Sequence, residues 1–143
     1  MPSLPPRVVL DTNVLVAGLR SNRGASFRVL AEVGHGRFEI ALSVPLVLEY
    51  EEVLIRHLGE TGLTVQDVDV LLDFFCSVGR LQRIFYLWRP LLRDSGDDMV
   101  LELAVAAQCL AVVTHNTRHF AGAERFGVRV LTPIGFLRRI GAI

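Results

Sequence analysis

Lysine is absent from the 143 residues, and all fifteen cationic side chains are arginine. The plainest reading of this is codon bias in a GC-rich genome. Arginine also grips phosphate bidentately, so the composition permits a nucleic-acid partner without indicating one. Fifteen acids balance the arginines to a net charge of zero, so the overall positive excess of many nucleic-acid binders is missing. Cysteine is scarce. Cys76 and Cys109 stand singly inside apolar segments, which excludes a disulfide framework or a CxxC site and predicts small core residues. No apolar run approaches the length of a membrane span, and MPSLPPR lacks the hydrophobic stretch of a signal peptide, so the expected location is the cytoplasm and no membrane contact is expected. No glycine-rich phosphate loop is present, which argues against a phosphatase or nucleotide hydrolase built around one. Repeats and low-complexity segments are missing as well.

What is present is apolar. Hydrophobic residues make up 51% of the chain and the mean hydropathy is +0.42. That excludes disorder, and the length suits one domain, residues 1–143, with a real core. Val8 to Leu10 reads as a strand buried on both faces, ending at Asp11-Thr12-Asn13. A short helix is expected from Asn13 to Leu19, then a loop (RSNRG), then a helix from Ala25 to Val33 with Phe27, Leu30, Ala31 and Val33 on its apolar stripe. Phe38 to Leu42 is a strand. Ser43 caps a helix that runs to about Leu58, with Pro45 in its first turn, and Thr64 with Asp67 opens another. Leu81 to Leu87 reads as a strand and Trp88 to Gly96 as a loop. Asp97 and Asp98 open a helix over Met99 to Cys109. Ala111 to Thr114 is a strand ending in His115-Asn116-Thr117, Val128 to Leu131 is the last strand, and Pro133 starts a final helix. Alternating short strands and helices predict an α/β fold, a parallel sheet with helices on both faces. Ligands of such sheets sit beyond the carboxyl ends of the strands, where Asp11 and Asn116 both fall.

Asp11, Glu49, the Asp97/Asp98 pair and Asn116 are the candidates for a site. Carboxylates and amides gathered from distant points suit a hard cation such as Mg²⁺, and such ions activate water and stabilise the leaving oxygen of a phosphodiester. Each residue also has a plainer explanation. Asp11 and Asn116 are ordinary turn residues, Asp97 or Asp98 caps a helix, and glutamates in a run, as in EYEEVL, usually face water. Glu49 is distinguished from Glu51 because Leu46 and Val53 share its side of the helix, while Glu51 points roughly opposite. His115 and His119 are spaced like a zinc pair, but no third His or Cys accompanies them, so zinc is not expected. His35 and His57 have no partner visible in sequence.

Three stretches, VVLDTNVLVAGL, ALSVPLVLEYEEVL and DSGDDMVLELAVAAQCLAVVTHNTRHF, together resemble the PIN-domain ribonucleases. The likeness is greatest to bacterial VapC-like toxin components of toxin–antitoxin systems, and the blocks follow the family's order. The resemblance implies a single PIN-like domain and a Mg²⁺- or Mn²⁺-dependent endoribonuclease. Asp11 matches the first acid, Glu49 the second, and Asp97 or Asp98 the third, with Asp97 favoured by its spacing to Ala104. Many relatives carry a fourth acid in a Thr-Gly-Asp motif, where this chain has Thr114-His115-Asn116. Others carry an Asp before the following Phe, where it has His119. The resemblance further implies support of the ligands by Thr12, Asn13, Ser43 and Thr114. It also implies RNA as substrate, a cognate antitoxin as partner, and the homodimer common among such toxins. Arg20, Arg23 and Arg118 fall in loops expected near the same edge, where they could meet RNA phosphates or simply face water. Asn116 and His119 also support an alternative, a PIN-like module that binds RNA or an antitoxin without cutting.

Overall fold

A computed structural model describes residues 4–84 and 95–143. Its strands are β1 (Arg7–Leu10), β2 (Glu39–Leu42), β3 (Arg80–Leu81), β4 (Ala111–Val113) and β5 (Arg129–Leu131). They form one sheet in the order β3-β2-β1-β4-β5, and every pairing is parallel. Successive strand residues point to opposite faces, yet Val8, Val9 and Leu10 are all buried, as are Ala111, Val112 and Val113. Both faces of the sheet centre are therefore covered, as in a doubly wound α/β fold.

The helices are α1 (Thr12–Arg20), α2 (Ala25–Glu32), α3 (Val44–Arg56), α4 (Leu58–Thr61), α5 (Val65–Val78), α6 (Ser95–Ala106) and α7 (Pro133–Arg139). Two 3-10 turns, Thr117–Phe120 and Ala123–Phe126, lie between β4 and β5. Local chemistry explains several starts. The Ser43 hydroxyl accepts the Leu46 N–H with Pro45 in the first turn of α3, and Thr64 and Asp67 form a reciprocal capping box on α5. Gly18 lets α1 approach α2 closely: a Cβ there would stand 2.6 Å from Leu30 Cδ1 and 3.0 Å from the Ser26 backbone. Among the described residues no helix is long and apolar enough to cross a membrane.

Several expectations need correction. The strand expected over Leu81 to Leu87 is two residues, Arg80–Leu81, within the described chain; residues 85–87 lie outside it. Its partner β2 ends at Leu42, where the chain turns into α3, so after the Gln82 N–H reaches the Leu42 carbonyl at 2.7 Å no ladder to β2 remains among the described residues. Of the loop expected over Trp88 to Gly96, residues 88–94 lie outside the description, and Ser95 and Gly96 belong to α6. The helix expected to reach Leu58 breaks at His57, where the short turn α4 begins and closes on the left-handed Gly62. On α2 the buried residues are Ser26 and Val29, while Phe27 and Ala31 face solvent, because α2 packs against both α1 and α7. Cys109 is buried but Cys76 is exposed on the outer side of α5.

Candidate functional site

The chain moves from β1 to β2 and β3 on one side and later to β4 and β5 on the other. The switch in direction therefore lies between β1 and β4, the place where ligand crevices form in such sheets. Asp11 follows β1 and Thr114 follows β4, and Leu10 pairs with Val113 in register. The Asp11 N–H extends the ladder to the Val113 carbonyl at 2.9 Å.

The Asp11 carboxylate is held from several directions. Oδ1 accepts the Thr12 N–H at 2.9 Å. Oδ2 accepts the Thr114 hydroxyl at 2.8 Å and the Asn13 amide at 3.3 Å. Thr114 is fully buried, and its oxygen also accepts the Asn116 N–H at 3.0 Å. Asn13 Oδ1 in turn accepts the His115 N–H at 3.3 Å. The two strand ends are thus tied by side chains around one carboxylate, which can neither rotate freely nor leave the edge.

Glu49 reaches the same place from α3. It is half-buried, whereas Glu51 and Glu52 are exposed. Its carboxylate accepts the Thr12 hydroxyl in a short hydrogen bond. Beside it the buried Tyr50 donates its hydroxyl to the Leu10 carbonyl and anchors α3 to the end of β1. Burial and the negative charges of Asp11 and Glu49 push the Tyr50 hydroxyl well above its usual range, so it stays a protonated donor.

Asp97, in the first turn of α6, completes the acidic wall; its Oδ2 lies 3.4 Å from His119 Nδ1. Asp11, Thr12, Asn13, Arg20, Glu49, Asp97 and Asn116 all line one open cleft of about 550 Å³, with His57, His115 and His119. Thr114 lies just beneath. Asp98 shares the turn of Asp97 but not the cleft lining, and Arg23 and Arg118 are exposed outside it. Ser43 acts at a distance, capping the helix that carries Glu49. Sequence reasoning missed the contact of Ser26 Oγ with His115 Nε2 at 2.6 Å and the place of His57 in the cleft. Neither contact leaves a local pattern.

Oxygen donors dominate the cleft, and three of them are carboxylates. That chemistry fits a hard divalent cation far better than zinc or copper. Among the described residues no three Asp, Glu, His or Cys side chains already stand close enough to share an ion. Glu49 is engaged with Thr12 and Asp97 with His119, so both would turn toward Asp11 to ligate.

A parallel α/β sheet whose switch point carries acids from three separate segments is the class these features define. The chain belongs to the PIN domain family, whose model matches residues 7–118. In fold it is similar to a chain of the crystal structure of VapBC2 from Rickettsia felis bound to a DNA fragment from their promoter. The TM-score is 0.57 and the identity 15%, with 88% of this chain and 98% of that one covered. No curated protein matches in sequence.

Proposed function

We propose that the protein is a Mg²⁺- or Mn²⁺-dependent endoribonuclease, the toxin of a toxin–antitoxin pair, with residues 1–143 forming one nuclease domain in the cytoplasm. The observation that carries the reading is the convergence of Asp11, Glu49 and Asp97, from the end of β1, the middle of α3 and the start of α6, on one cleft. Three acids in one crevice repel one another, and a divalent cation that binds only the folded state offsets that cost. When bound, such an ion supplies the electrophile that activates water and stabilises the leaving oxygen of a phosphodiester.

The chain's own residues divide the remaining work. Asp11, Glu49 and Asp97 would hold the ion, with Asn116 as a further oxygen donor. Thr12, Asn13 and Thr114 fix the Asp11 carboxylate in place, so little reorganisation is left for it, while Glu49 exchanges the Thr12 hydroxyl for the ion. Arg20, and more remotely Arg23 and Arg118, would meet RNA phosphates. Hydrolysis adds water across the P–O3′ bond, leaving a phosphate on one fragment and a 3′-hydroxyl on the other. A cognate antitoxin and a second copy of the chain are the partners this reading implies, and a VapBC2 structure among the fold's relatives supports the first.

A second reading is favoured by two observations: a neutral amide at Asn116 and the pairing of Asp97 with His119. Both weaken the acidic cluster, and a PIN-like module that binds without cutting would follow. Cleavage of single-stranded RNA in Mn²⁺ separates the two. The nuclease reading expects activity in the wild type, a loss of at least about 100-fold in Glu49→Gln, of the order seen when a catalytic contact is removed, and little change in Glu51→Gln. No cleavage of diverse RNAs by well-folded wild type would favour the binding module. An essential Glu51 beside a dispensable Glu49 would overturn the assignment of the second acid.

A further inference from the structure

The cleft has a second cluster. Arg20 ends α1 and His57 ends α3, and each lies about 12 Å along its helix from the Thr12–Glu49 pair, at 1.5 Å per residue. Both line the cleft, and both face one oxygen of Glu60 from the short turn α4. Arg20 Nη1 stands 3.6 Å and His57 Nδ1 3.3 Å from Glu60 Oε2. The fit is poor. Among the described residues the buried His57 Nδ1 makes no directed hydrogen bond, and the Arg20 contact is longer than a charge-assisted hydrogen bond. A single carboxylate oxygen between a guanidinium and an imidazole holds the place of an oxyanion, and a phosphate would offer that place more charge and more acceptors.

We propose that Arg20 and His57 form a phosphate-binding subsite for the RNA strand, and that Glu60 occupies it as an internal competitor when RNA is absent. The proposal rests on the nuclease reading for its substrate class. Arg20 and Glu60 are both about half exposed, so their pairing is weak and readily exchanged. An entering phosphodiester takes the guanidinium from Glu60 by the bidentate geometry that arginine favours. Glu60 is a positioning residue: it keeps Arg20 over the cleft and raises the threshold for weakly held anions.

The test is binding of a fluorescein-labelled single-stranded RNA oligonucleotide in EDTA, so that nothing is cut, for wild type, Glu60→Gln, Arg20→Ala and the double variant. Glu51→Gln, an exposed charge on α3, controls for net charge. Glu60→Gln is expected to bind about twofold to fivefold more tightly, the range of an exposed ion pair. Arg20→Ala should bind more weakly, with its salt slope reduced by about 0.7. The double variant should match Arg20→Ala. Glu60→Gln binding no tighter than Glu51→Gln, or a gain that survives in the double variant, would overturn the proposal. Arg20→Ala reads the same subsite should Glu60→Gln fold poorly, and unchanged binding there also overturns it. In Mn²⁺ the Glu60→Gln gain should appear in KM with kcat unchanged. If no variant cuts RNA, the nuclease reading fails while the binding comparison still decides the subsite.

Discussion

Replacing Thr114 by valine tests whether the hydroxyl at the end of β4 holds the site together. The two side chains have nearly the same shape, so packing at this fully buried position is preserved and only the polar contacts are lost. The hydroxyl donates to Asp11 Oδ2 at 2.8 Å and accepts the Asn116 N–H at 3.0 Å. A hydrogen bond to a charged group contributes about 1.5–3 kcal/mol. The Asn116 N–H belongs to an exposed residue and can turn to water, so it adds little. The net cost is about 2 kcal/mol, or a fall in Tm of about 4–8 °C for a chain of this size. Urea unfolding in EDTA at neutral pH reads it without competition from a cation. Thr114→Ser keeps the hydroxyl and loses a methyl group, which costs about 1 kcal/mol. Valine should therefore be the worse substitution. A Thr114→Val protein within 0.5 kcal/mol of wild type, or one more stable than Thr114→Ser, would refute the argument that this bond restrains Asp11.

Asn116→Asp returns a carboxylate to the cleft at the end of β4. It should lower the Mn²⁺ concentration for half-maximal cleavage, and superimposable titrations of the two proteins would remove Asn116 from the metal site. Of the two thiols, Cys76 should react with a disulfide reagent in the folded protein and Cys109 only after unfolding, because Cys109 is buried and pushed up to about 12, mainly by that burial. Its folded pKa lies above the ordinary 9.0, so the folded chain keeps a proton that the unfolded chain loses. Stability should fall as pH climbs above 9, by on the order of 1 kcal/mol at pH 10. Cys109→Ala should flatten that slope, leaving the contribution of the same sign from Tyr50; an unchanged slope would assign the loss elsewhere.

Contiguous chemistry was legible in the sequence. Val8 to Leu10 read as a buried strand and Ala111 to Thr114 as a strand because an unbroken β-branched or apolar run leaves no face for water. Ser43 and Thr64 marked helix starts because a cap acts within three residues. The phase of α3 separated Glu49 from Glu51 because two residues advance a helix by about 200°, which sends the side chains to opposite faces. Tertiary structure decided the rest. The length of β3 depended on where β2 stops, which Leu81 and its neighbours do not encode. Cys76 lies in an apolar stretch, yet its exposure depended on which side of α5 met α3 and β2. Asp11 is restrained by Thr114, Ser26 meets His115, and Glu60 faces Arg20 and His57. Most of these partners are remote in sequence, and the strand order β3-β2-β1-β4-β5 brings the ends of β1 and β4 side by side. Residue type, helix phase and the family resemblance named the candidate acids, but only the parallel sheet, with its reversal of direction between β1 and β4, turned them toward one cleft.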